Sequence, residues 1–227
     1  MPDEHPFGLG DVPKDRWARA QNHEAAFWQQ QGIMGDQCQR VASRYEGLVR
    51  SLAAAAPSGV RVLEVGSGPT CATRVFPNAR TVFLDPLMRV YRPLVTPEAR
   101  GGFVCAMGEH LPFADGRFDF TFSFNVIDHV LSPARFVAEL ARVTRPAGRV
   151  VVGVYTHPRL FAVVRNAIDR VLPVFGEDAH PYFFSRESLA TLLRSQGLRV
   201  DQLVCVHAPR SRPALRRQDW VAVSSRS

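Results

Sequence analysis

Lysine is almost missing from this chain. Lys14 is the sole one among 28 basic residues, so the net charge of +7 is carried by arginine. Five of those arginines lie with one acid in the tail "PRSRPALRRQDWVAVSSRS". A basic tail with no aromatic residue among the clustered arginines 210–217 reads as a solvated segment rather than a nucleic-acid groove. No apolar run approaches the roughly 20 residues of a membrane span. The opening "MPDEHPFGLG" also lacks the charged and apolar parts of a signal peptide, so a soluble, cytoplasmic protein is expected. Cys38, Cys71, Cys105 and Cys205 are too scattered for a zinc or redox pair. Free thiols and no metal site are therefore expected.

What is present is 46% hydrophobic sequence over 227 residues, enough for one substantial core. Residues 14–31 carry Trp17, Ala20, Gln21, Glu24, Phe27 and Trp28 at helical spacing, and a second helix is expected over 36–56. These two precede any strand, so 1–56 reads as an N-terminal helical cap and 57–227 as the main folded unit. From residue 60, short apolar runs recur: "VRVLEV", "TVFLD", "GFVCAM", "FDFTFSF" and "RVVVGVY". Nearly continuous apolar strands alternating with helical or loop lengths indicate a parallel sheet covered on both faces. After the fifth strand, 158–175 puts Leu160, Phe161, Val164 and Ile168 on one helical stripe, a helix packed on the body or a lid. "SRESLATLLRSQG" reads as a serine-capped helix ending at Gly197, and two last strands follow. The fold class is thus α/β: a doubly wound, mostly parallel, Rossmann-like seven-stranded sheet with helices on both faces.

The stretch "VLEVGSGPTC" ends a strand on Glu64 and Val65 and follows it with Gly66, Ser67 and Gly68. At the end of the first strand of such a sheet, glycines permit unusual dihedrals and let a ligand approach the backbone. Nineteen residues after Gly66, Asp85 ends the second strand, where a carboxylate can accept hydrogen bonds from ribose hydroxyls. A dinucleotide would want a third glycine where Cys71 stands, and an acid beside the loop repels pyrophosphate. The same acid suits a ligand bearing an ammonium and a sulfonium, attracting them by several kcal/mol at intermediate dielectric.

On "VLEVGSGPT", "VFLDP", "GEHLPFADGRFDFTFSFNVIDHV" and "ELARVTRPAGRVVVGV", residues 60–155 resemble the class I S-adenosylmethionine-dependent methyltransferases, in particular the "methyltransferase type 11" branch. The resemblance implies S-adenosylmethionine as cofactor and S-adenosylhomocysteine as product. It implies that Glu64, Gly66, Ser67 and Gly68 line the methionine moiety, that Asp85 holds the ribose, and that Pro86 and Leu87 lie beside the adenine. Gly108 and Glu109 would sit at the adenine edge. Met107 stands where many relatives have an aspartate for the adenine amino group, so that contact is absent or falls to Glu109.

Methyl transfer needs a base only if the acceptor loses a proton at attack. "SFNVIDHV" would bring Asn125, Asp128 and His129 near the methyl group, with His129 the candidate base and Asp128 its neighbour. Tyr155, His157 and His180 are weaker candidates on segments able to close over the site. An Asn- or Asp-Pro-Pro-aromatic turn, a Pro-Cys nucleophile and paired arginine-binding glutamates are all lacking, which leaves a small molecule as the favoured acceptor, in secondary-metabolite, sugar or lipid tailoring. Its apolar wall would come from Trp17, Phe27, Trp28, Phe161, Phe183 and Phe184. The competing readings are an RNA methyltransferase using the arginine-rich tail, a nicotinamide-dependent oxidoreductase, and a catalytically silent cofactor-binding protein. A homodimer through the N-terminal helices is compatible with the sequence.

Overall fold

The computed structural model describes residues 7, 9–32, 36–171, 180–208 and 217–226. The last part of the expected insertion, 172–175, and most of the arginine-rich loop, 209–216, lie outside them. Seven strands form one sheet: β1 (Arg61–Val65), β2 (Arg80–Leu84), β3 (Gly102–Val104), β4 (Phe118–Phe124), β5 (Thr144–Thr156), β6 (Leu198–His207) and β7 (Gln218–Arg226). Their order is β3-β2-β1-β4-β5-β7-β6. β7 runs antiparallel to both its neighbours, and the pairs from β3 through β5 are parallel. The doubly wound, mostly parallel sheet read from the sequence is the fold observed.

Side chains alternate across the sheet, so its two faces collect different partners. On one face Leu63, Val150, Val152 and Val154 pack with α4 (Pro133–Val143) and α6 (Arg186–Ser195). On the other, Val62, Phe122, Val151 and Val221 pack with Tyr45, Val49 and Ala53 of α2 (Asp36–Ala54). The boundary read at residue 56 thus falls just after a helix that is itself a layer of the core. Tyr45 stacks on Phe124 with ring centroids 4.2 Å apart, and its hydroxyl donates to Asp219 at 2.9 Å. Gly153 leaves room for that stack, since a Cβ there would lie 3.0 Å from the Phe124 ring and 3.4 Å from Tyr45.

Local sequence explains the helix ends. Ser132 precedes α4, Pro133 occupies its first turn, and Phe136, Val137, Leu140 and Val143 form the buried stripe. α6 opens on a capping box in which Ser185 and Ser188 satisfy each other's backbone amides, so Ser188 closes it and not the glutamate at 187. Crossovers on the β1 side are thin. Between β1 and β2 there is only a 3-10 turn, Ala72–Val75, and between β2 and β3 the four-residue α3 (Met88–Tyr91) followed by a second 3-10 turn. Pro69 and Pro77 bracket the first of these and limit its length.

α1 (Lys14–Gly32) lies across the carboxyl ends of the strands, tied by a buried Arg16–Asp169 ion pair to α5 (Arg159–Val171). Gln21 Nε2 also donates to the His129 carbonyl at 3.3 Å. Among the described residues no helix is long and apolar enough to cross a membrane.

Candidate active site

Strand order reverses between β1 and β4, and in an open α/β sheet the crevice outside the strand ends at that point receives ligands. β1 delivers the chain there and Gly66 turns it, with φ 71°. The Gly66 and Ser67 amides both donate to the Leu84 carbonyl, at 2.7 and 3.1 Å, which keeps the loop clipped to β2. A Cβ on Gly66 would stand 2.3 Å from a Val126 methyl carbon, so only glycine fits. Gly68, at φ 51°, faces nearly open space: a Cβ would meet only the Thr70 amide, at 4.0 Å.

The two strand-end acids are both buried and both held by backbone amides. Asp85 accepts from Gly68 N at 3.0 Å and Leu87 N at 2.8 Å. Burial pushes its carboxyl up to about 6, against the pull of those two amides. Glu64 accepts from Ala72 N at 2.9 Å and Thr73 N at 2.8 Å, and from the Thr73 hydroxyl at 2.6 Å. Burial raises it to about 7, with the same three donors opposing. Cys71, just ahead of those amides, sits at φ 43°, a left-handed conformation costing a non-glycine residue about 1–2 kcal/mol.

A cleft of about 780 Å³, measured out to its open mouth, collects Gly66, Ser67, Gly68, Asp85, Pro86, Leu87, Met107, Gly108, Glu109, Asn125 and His129. Glu64 is the exception among the residues expected around the cofactor. Its carboxylate is turned onto the amides of the 3-10 turn, where three donors satisfy it, and it is not part of the cleft wall. Glu109 lines the cleft, but its Oε1 accepts from Leu131 N and Ser132 N, at 2.6 and 3.2 Å, just ahead of α4. Asn125 holds φ 57° with its amide donating to the Gly153 carbonyl at 2.8 Å, and its buried Oδ1 has no hydrogen-bond partner.

The remaining candidates divide between two adjoining spaces. His129 faces the cleft, whereas Asp128, Tyr155 and His157 line a smaller cavity with His180, Tyr182, Phe183 and Arg217. Asp128 is 4% exposed. Burial alone would raise its carboxyl, but the neighbouring His129 and the hydrogen bond from His180 hold it at about 2. Of the expected apolar wall, Trp17 and Trp28 line the cleft and Phe183 the smaller cavity. Phe27 and Phe161 are substantially exposed, and Phe184 is core. The sequence reading missed Thr70, Tyr91 and Val126 as wall residues. Gln21 and Glu24 also belong to the wall, and their helical spacing with Trp17 and Trp28 was the available signal.

Residues 63–152 match the family model described as "Methyltransferase domain". Among curated proteins, an uncharacterised methyltransferase of Mycobacterium sp. strain JLS is 40% identical over 98 residues, covering 42% of this chain and 39% of its own length. The chain thus matches about two fifths of that relative. Among solved structures, a Bacillus halodurans C-125 protein assigned as a methyltransferase superposes with a TM-score of 0.62 at 18% identity, over 80% of this chain and 97% of its own. The [4+2]-cyclase SpnF superposes at 0.59 and 15% identity, over 80% and 81%. Residues 63–152 are thus similar to a methyltransferase domain, and they lie within a fold shared with a solved structure assigned as a methyltransferase.

Proposed function

We propose that this protein transfers the methyl group of S-adenosylmethionine to a small-molecule acceptor and releases S-adenosylhomocysteine. The observation that carries the reading is the Glu64 carboxylate on the amides of Ala72 and Thr73. Those amides head the turn after the glycine loop, where a dinucleotide would lodge its pyrophosphate. With an internal carboxyl already in that place, a phosphate would find those amides taken and, above about pH 7, would meet like charge. A cofactor without phosphate meets neither obstacle.

The residues present fit that cofactor. Open space beside Gly68 admits a chain close to the backbone, Asp85 stands in the cleft wall within reach of ribose hydroxyls, and the orphaned Asn125 Oδ1 offers an acceptor. Bound S-adenosylmethionine supplies an electrophilic methyl carbon with a neutral thioether as leaving group. What the chain supplies is position and exclusion of water, from which most of the acceleration of such a displacement can come. Trp17, Gln21, Glu24 and Trp28 of α1 supply part of the cleft's wall. This cover supports a small acceptor over a polymer. For an acceptor that must lose a proton, His129 is the base, with Asp128 beside it.

Calorimetric titration tests the cofactor. S-adenosylhomocysteine should bind and NAD should not. Asp85→Asn removes one charged acceptor and should weaken binding about 10–100-fold, the equivalent of about 1.5–3 kcal/mol. NAD binding without S-adenosylhomocysteine binding would overturn the assignment. SpnF shares the fold under the name of a cyclase, so transfer itself must also be read. Isotope-labelled methyl groups should appear in a small-molecule extract, and label confined to RNA would reject the acceptor class.

A further inference from the structure

Asp128, His129 and His180 come together although His180 lies 52 residues further along the chain. Asp128 Oδ2 is 3.1 Å from His180 Nδ1, and Asp128 Oδ1 is 3.8 Å from His129 Nε2. One donor atom from each of the three residues lies within 4.8 Å of the others. The two imidazole rings are 4.5 Å apart, centroid to centroid, and inclined at 49°. The second observation is independent of this convergence. Asp128 Oδ1 is buried, on a residue only 4% exposed, and has no hydrogen-bond partner. A buried carboxylate oxygen without a donor is costly unless a cation or donor completes it.

We propose that Asp128, His129 and His180 bind a divalent first-row transition-metal ion. At metal–nitrogen and metal–oxygen distances of about 2.0–2.2 Å, tetrahedral donors stand about 3.3 Å apart. The 3.1 Å separation already meets that, the 3.8 Å one, to the other carboxylate oxygen, needs about half an ångström of closure, and the three donors as a set, within 4.8 Å of one another, need up to about 1.5 Å. Two imidazoles with one carboxylate suit zinc, iron(II) or cobalt(II), whereas magnesium and calcium favour all-oxygen sites. Three protein ligands leave a position open. His129 faces the cofactor cleft while Asp128 and His180 face the smaller cavity, so the ion stands in the wall between the two.

That placement gives the site a substrate class, a hydroxylated small molecule, and this assignment rests on the proposed methyl transfer. With His129's basic nitrogen on the ion, the metal replaces it as the means of deprotonation: an acceptor hydroxyl on the open position loses its proton to solvent more readily, as metal-bound water does. Its oxygen then forms the bond to the methyl carbon, the carbon–sulfur bond breaks, and the electron pair stays on sulfur.

Metal binding is read without any turnover. Chelator-treated protein titrated with cobalt(II) should take up one equivalent and develop the visible absorption of a low-symmetry histidine-ligated ion. Zinc should displace it. Asp128→Asn and His180→Ala should each weaken uptake by at least about 10-fold, while the exposed His23→Ala leaves it unchanged. Lack of stoichiometric uptake by the unsubstituted protein overturns the proposal, as does uptake that survives both substitutions or falls equally in His23→Ala. Because the first of these needs no variant, a misfolded substitution does not shelter the idea. Calorimetry with S-adenosylhomocysteine on the same samples separates the two readings. Cofactor binding without metal removes the ion and keeps the cleft's assignment, and metal binding without cofactor supports the ion and removes its assigned role.

Discussion

Two sides of the site treat their polar groups in opposite ways. On the β1–β2 side, the Glu64 and Asp85 oxygens each accept at least one backbone amide, and both acids are completed by the chain itself. On the β4 side, Asn125 Oδ1 and Asp128 Oδ1 are buried without hydrogen-bond partners. Buried polar atoms left open are rare and need an account. The contrast separates a part of the site whose shape is set by folding from a part that is completed by what binds. Substitutions of Glu64 and the glycine loop should therefore be read mainly in stability, those on the second side mainly in ligand affinity, and those of Asp85, which also lines the cleft, in both.

The largest effect is expected at the loop that joins the two sides. Gly66→Ala places a methyl 2.3 Å from Val126 in a residue at φ 71°. Left-handed strain of about 1–2 kcal/mol and overpacking of about 1–3 kcal/mol together predict a loss of about 2–5 kcal/mol. For a chain of this size that lowers the melting temperature by roughly 5–15 °C. Val126→Ala in the same background should restore part of it, because the clash and not the backbone angle is relieved. Recovery to the level of the single Val126→Ala protein would show that the strain at φ 71° costs nothing, and the loop would not be set in the way described.

Glu64 comes next, and it also separates stability from charge. Glu64→Gln leaves one of the Ala72 and Thr73 amides facing an amide instead of an acceptor, a cost of about 1–3 kcal/mol near pH 5. Burial raises the Glu64 carboxyl from 4.5 to about 7, so folding favours its protonated form. That contribution is complete below about pH 4.5 and is lost as pH rises through 7. The unsubstituted protein should therefore lose stability over this window, and the gap to Glu64→Gln should narrow. Asp85, raised from 3.8 to about 6, slopes the same way but is common to both proteins and cancels in the difference. Denaturant melts of both at pH 5 and 8 check this, and a gap that widens with pH would mean that the ionised carboxylate is the favoured form. Glu64→Ala should in addition free the two amides, and measurable inorganic phosphate binding to that variant alone would sharpen the reading of Glu64 as the guard against pyrophosphate.

The sequence disclosed the parts of this site that depend on neighbours in the chain. Runs such as Val60–Val65 and Phe118–Phe124 named the strands, and Gly66, Gly68 and Asp85 named the cofactor end, because strand ends and turn dihedrals are local. It did not disclose where side chains turn. Glu64 was read as facing the ligand, yet the amides eight and nine residues on capture it first. The layer made by α2 was hidden for the same reason, since an apolar stripe such as Tyr45, Val49 and Ala53 does not say which face it will cover. His180 was legible only as a histidine on a segment able to approach; its bond to Asp128 across 52 residues depends on the whole sheet.

Asn125 is where the contrast between the two sides is most exposed to refutation, because the expected stability change there is close to nothing. Asn125→Gly keeps a backbone that is easy at φ 57° and deletes an orphaned carbonyl oxygen whose burial costs about 1–3 kcal/mol. Against that, glycine adds about 0.5–1 kcal/mol of chain entropy to the unfolded state and removes some packing. The terms offset, so the melting temperature should stay within about 3 °C. Affinity for S-adenosylhomocysteine or for the acceptor should nevertheless fall, since the deleted atom is one that the ligand is expected to complete. A variant that melts far lower while binding unchanged would mean that the oxygen serves the fold, and the division of the site into a finished side and an open one would fail at the residue that defines it.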